Sequence, residues 1–177
     1  MDGYPQDLEP RGIGTAAKEG FSAWWVRARD SFPTVPRNVA RQWLHRHWGQ
    51  SRFRWLPSHG TQFTLECWQP AQVAALKIWH EGTPPYVDWG DDLLADAAKP
   101  KLYRTDLASI MNRHHRWPAP PIVWHRAAPL ANEPVSDLPI GFVLVEGNRR
   151  VAMAKALERR GLLLAQLPVW VLRYPNS

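Results

Sequence analysis

"LVEGNRRVAMAKAL" occupies residues 144–157. An apolar run ends at Glu146 and Gly147, two arginines follow, and small and apolar residues then recur at helical spacing. The stretch predicts a strand, a glycine turn and a helix closed by Gly161. The first amides of a helix have no internal acceptors and form a partial positive pole. Arg149 and Arg150 beside that pole repel it and each other. A phosphate seated on the amides and gripped by guanidinium forks would relieve the repulsion. In that reading Gly147 admits the ligand close to the backbone, while Glu146 neutralises an arginine, holds a magnesium ion or acts as a general base. The alternative is a solvated Arg149 and an Arg150 paired with Glu146.

Strands of similar character flank this element. "PPIVWHR" predicts a short buried strand, residues 121–125, and "LPVWVLRY" a last one. "RTDLASIMNRHHRW" predicts a helix with Thr105 as a possible N-cap and Leu107, Ile110 and Met111 on one side. Upstream, "QFTLECW" (62–68) alternates like a strand, "QPAQVAALKIWHEG" (69–82) reads as a helix, and 83–101 as a loop with a short acidic helix. "FSAWWVRARDSF" (21–32) and the segment from Pro36 to Gly49 are helical. In the latter, Val39, Trp43 and Leu44 form an apolar stripe, with Arg37, Arg41, His45 and Arg46 opposite. Residues 1–20, rich in glycine, proline and charge, read as a disordered leader.

The totals set the class. Of 177 residues, 45% are hydrophobic and 21% charged, which suits a globular chain of one domain with additions. Seventeen prolines favour short elements and abrupt turns. The net charge of +6 makes a polyanion a plausible partner. The lone Cys67 rules out an internal disulfide and a CxxC motif, and the alternation around it suggests a buried thiol. No apolar run approaches the roughly 18 residues of a membrane span. The first residues lack the charged-then-apolar order of a secretory signal, so a cytoplasmic location is expected.

Three further constellations bear on function. Arg37, Arg41, Arg46, Arg52 and Arg54 with Trp43, Trp48 and Trp55 form either a DNA-contacting surface with stacking platforms or an amphipathic helix with tryptophans in the core. Asp88, Asp91, Asp92 and Asp96 would either hold a metal or make a solvated acidic face. His45 with His47, and His114 with His115, point apart on a helix and make poor metal sites. No GxSxG or Walker A stretch is present.

The order of "TDLASIMNRHHRWPAPPIVW", "GFVLVEGNRRVAMAKAL" and "LPVWVL" resembles the ParB/sulfiredoxin superfamily over Asp106–Leu172. The family's (D/E)G-x-x-R element matches Glu146 and Gly147-Asn148-Arg149-Arg150. The resemblance implies an α+β fold, a small mixed sheet with surrounding helices, and a nucleotide-binding core over 105–177 preceded by a helical, tryptophan-rich extension over 21–104. Sulfiredoxin carries its catalytic cysteine directly after the glycine; here that residue is Asn148, so reductase chemistry is not expected. Partition ParB proteins continue into a helix-turn-helix domain, which the sequence to Ser177 does not hold, so operator binding is not expected.

Among short members, the chain is most similar to the plasmid fertility-inhibition branch that includes the oncogenic suppression protein. "FPTVPRNVARQWLHRHWG" is the second cue. That resemblance implies ATP (or CTP) and Mg²⁺ as cofactors, ATP hydrolysis, DNA cleavage, and a block on transfer through a competing conjugative type IV secretion channel. It implies Gly147, Asn148, Arg149 and Arg150 as nucleotide-binding residues and Glu146, Arg149 and Arg150 as catalytic ones, with Glu146 near the metal. The alternatives are a non-catalytic inhibitor that binds a coupling protein or secretion ATPase, and a small-molecule kinase on the same scaffold.

Overall fold

The computed structural model describes residues 6–12, 18–78, 88–95, 106–130, 133 and 138–174. It is an α+β protein with a four-stranded mixed sheet. The strands are β1 (Gln62–Trp68), β2 (Ile122–Arg126), β3 (Gly141–Glu146) and β4 (Leu167–Arg173), in the order β1-β4-β2-β3. The helices are α1 (Phe21–Ala28), α2 (Arg37–Val39), α3 (Pro70–Ala75), α4 (Trp89–Ala95), α5 (Leu107–His114) and α6 (Asn148–Arg159). Helix α2 runs directly into a π-helical stretch, Ala40–His45. Among the described residues, no helix is long and apolar enough to cross a membrane.

The chain divides into two compact units, one of residues 1–63, 130–137 and 172–177, the other of 64–129 and 138–171. The stretch read as an extension, 21–104, is therefore shared between them. Its second half belongs with β2, β3 and α6 because α3 and α4 pack on α6. The segment read as a leader contributes a 3₁₀ turn, Gln6–Leu8, whose Leu8 is buried. The Leu8 carbonyl accepts the indole N–H of buried Trp24 at 2.7 Å. Residues 1–5 and 13–17, Thr105, Asp96 and the end of the helix expected over 69–82 lie outside the described residues.

Within the second unit, α6 is the central element. Every residue from Arg150 to Leu157 is buried. Ala152, Ala154 and Ala156 make its surface shallow, so α4 approaches until an ideal Cβ on Gly90 would lie 2.1 Å from the Ala152 carbonyl oxygen. Trp68, Val73, Met111, Val123, Leu144 and Val169 complete the core around it. Helix α6 ends in a Schellman motif: the Leu162 N–H donates to the Leu157 carbonyl and the Gly161 N–H to that of Glu158.

Two local readings change. Helix α3 stops at Ala75, short of residue 82, because "LKI" alternates: Leu76 and Ile78 are buried, and Lys77 between them bridges Val143 in parallel. Cys67 is exposed, not buried, because β1 lies at the sheet edge and turns Trp68 inward.

Gly90→Ala drives a methyl into backbone that cannot move aside. It should destabilise the protein by about 3 kcal/mol in denaturant unfolding, whereas Ala95→Ser, at an exposed position of the same helix, should change stability by less than about 0.5 kcal/mol.

Candidate functional site

Strands β2 and β3 pair antiparallel, with Ile122 opposite Glu146 but Val123 opposite Leu144. Val145 is therefore an extra residue, a bulge that bends the strand end just before the turn into α6. Gly147 follows with φ +112°, and an added Cβ there would lie 2.8 Å from the Pro121 Cβ. Both the dihedral and the close approach require glycine.

Gly147 is the N-cap of α6 and brings no side chain, so no side-chain cap bond forms. The first intrahelical bond is Val151 N–H to the Gly147 carbonyl, 2.9 Å. The amides of Asn148, Arg149 and Arg150 are thus the helix's first-turn donors, and the side chains of Asn148 and Arg149 beside them are exposed.

The two arginines take different roles. Arg150 turns inward and is buried. Its Nη1 donates to the Ala119 carbonyl at 2.7 Å and the Pro120 carbonyl at 3.2 Å, and its Nη2 pairs with the Glu146 carboxylate. The Arg150 and Glu146 side chains are 10% and 15% exposed, dry enough for the pair to matter to stability. Arg149 projects into solvent. Of the two sequence readings, the Arg150–Glu146 pair forms, and Arg149 is the cation left beside the amide pole.

This geometry bears on the metal. Glu146 is already engaged by Arg150, and among the described residues no group of three or more His, Cys, Asp and Glu side chains could hold a metal ion. The residues present fit a phosphate better than a protein-held Mg²⁺. Asp91 of the acidic segment is bonded by Arg159 and Arg160. Burial works against its ionised form, but the two guanidinium groups prevail and hold its carboxyl below the usual range. It fastens α4 to the end of α6.

The arginines expected to contact DNA, Arg37, Arg41, Arg46, Arg52 and Arg54, are all exposed and all lie in the first unit. Of the two readings for the tryptophans, the core one holds: Trp43, Trp48 and Trp55 are buried, and the Trp43 N–H donates to Ser51 Oγ at 2.8 Å. The π-helical stretch brings Trp43 and Leu44 into the core together. The half-buried aromatics beside the arginines are instead Phe21 and Trp25 of α1, which sequence reasoning passed over. Their own i, i+4 spacing was the available signal.

Compared with protein-family models, curated proteins and solved structures, the chain matches none.

Arg150→Ala leaves two carbonyls and the Glu146 carboxylate without their buried partner. It should destabilise the fold by about 3 kcal/mol, whereas Arg149→Ala should stay within about 0.5 kcal/mol. Urea unfolding of both variants decides between a tie and a free cation; equal stabilities would contradict these roles.

Proposed function

We propose that the protein binds a nucleoside triphosphate, ATP or CTP, through its phosphates at the first turn of α6, and uses it in acting on DNA. The observation that carries the reading is an N-terminal helical turn with a bare glycine cap and one exposed arginine beside it. The amides of Asn148, Arg149 and Arg150 supply the donors. The Arg149 guanidinium supplies a mobile fork for phosphate oxygens. Arg150 is a positioning residue here: by joining Glu146 to the carbonyls of Ala119 and Pro120, it fixes where the turn stands.

The order of motifs over Asp106–Leu172 supports the same reading, since it is the order of the ParB/sulfiredoxin superfamily. The biological role that accompanies the resemblance is fertility inhibition, a block on transfer through a competing conjugative type IV secretion channel, with hydrolysis of the nucleotide and cleavage of DNA as its chemistry. Mg²⁺ would enter bound to the nucleotide's own phosphates. A second reading is favoured by the pairing of Glu146: with its carboxylate engaged, the protein would act as a nucleotide-binding inhibitor of a coupling protein or secretion ATPase without cleaving DNA.

Isothermal titration with ATP and with CTP tests the binding. Wild type should bind at least one of them, and Arg149→Ala, equally stable, should bind about tenfold more weakly. Wild-type protein that binds neither nucleotide, or a variant that binds as wild type does, would exclude the site. Supercoiled plasmid incubated with protein, Mg²⁺ and nucleotide separates the two readings: nicked product indicates the enzyme, intact plasmid the inhibitor.

A further inference from the structure

The first unit carries a second concentration of positive charge, organised around a ring. The Arg41 guanidinium carbon lies 4.8 Å from the centroid of Phe21, and that of Arg37 lies 5.5 Å from it. The two residues are four apart on one helical run, so their charges are brought together instead of being spread. Among the described residues neither has a carboxylate partner. The nearby acid, Glu19, is bonded by Arg27. Lys18 donates to the His45 carbonyl, which places a further cation near that imidazole.

Aromatic surface lies within this charge. Trp25 stacks on Phe21 at 6.0 Å with 17° between the planes, and both are half-buried, so each keeps an accessible part. His45 meets Phe21 edge-on at 5.6 Å and donates its Nε2–H to the Glu19 carbonyl at 2.7 Å. Burial, aided by Lys18 and Arg41, holds the imidazole below its usual pKa.

Two cations sharing a ring, with no carboxylate partner among the described residues, are complementary to a chain of phosphates. The indole of Trp25, stacked on that ring and partly accessible, is complementary to a base. In a duplex the bases face inward and offer no ring to Trp25; in a single strand phosphates and bases are presented together. We propose that the Phe21–Trp25–Arg37–Arg41 surface binds single-stranded DNA, with the arginines on successive phosphates and Trp25 stacked on a base. The surface deepens the DNA-directed half of the proposed function and rests on it, and it uses none of the residues of the nucleotide site.

Fluorescence anisotropy with a labelled oligo(dT), its duplex with oligo(dA), and vesicles of phosphatidylglycerol tests the surface on the full chain. Wild type should bind the single strand more tightly than the duplex. Arg37→Ala with Arg41→Ala should weaken single-strand binding at least tenfold and lower the slope of log K against log salt by about 1.4, roughly 0.7 for each lost phosphate contact. Trp25→Ala should weaken the single strand about tenfold but leave the duplex unchanged, and Trp25→Phe should restore most of the loss. Arg149→Ala, measured without nucleotide, should bind oligo(dT) as wild type does, which separates failure here from failure of the α6 site. An unchanged salt slope in the double variant, equal loss on duplex and single strand for Trp25→Ala, or arginine-dependent binding to vesicles with none to oligo(dT), would each overturn the proposal.

Discussion

A buried guanidinium sets the geometry at the start of α6. Removing a charge of this kind from water costs several kcal/mol unless it is paired and fully hydrogen-bonded. Arg150 meets the requirement with the Glu146 carboxylate and the carbonyls of Ala119 and Pro120. The supply of acceptors follows from the sequence "PAPP". Prolines 118, 120 and 121 carry carbonyls but no N–H groups, so this segment is rich in acceptors and poor in donors. Arg150 takes two of those carbonyls, and the Trp170 N–H of β4 takes that of Pro121 at 2.9 Å. One side chain thereby joins the end of β3, the approach to β2 and the first turn of α6.

The same tie answers why two like charges sit where a strand becomes a helix. The charge of Arg150 is cancelled by Glu146, whose negative end also lies favourably near the helix's positive pole. The net charge remaining at the turn is Arg149, exposed beside donors that no side chain caps. An arrangement that would be repulsive with both arginines free becomes a fixed anchor and a single open cation. That division ties one residue to the fold and leaves its neighbour facing solvent.

Much of this was legible in the sequence, for identifiable reasons. β1 and the α6 segment carried clear two-fold and helical periods, and β1 begins and ends where alternation placed it, at Gln62 and Trp68. Gly147 and Gly161 marked both ends of α6. The choice between a phosphate clamp and an internal pair for Arg150 was not legible, because it turns on the carbonyls of a segment some thirty residues away in sequence. Nor could composition say which of eleven tryptophans face solvent. Trp43, Trp48 and Trp55 lie among arginines in sequence and fill the core, the second of their two readings, and Trp43 does so beside Val39 and Leu44, on the stripe that helical spacing marked. Cys67 was misread because alternation identifies two faces of a strand without saying whether the strand lies at an edge.

The central claim is that the amides of Asn148, Arg149 and Arg150 form a pre-positioned anion seat held in place by Arg150. Amide ¹H–¹⁵N spectra recorded during titration with ATP test it at the atoms concerned. The account requires saturable shifts that are largest at these three amides and that track the affinity measured by calorimetry. Shifts absent from them, or concentrated in another part of the chain while ATP binds, would contradict it.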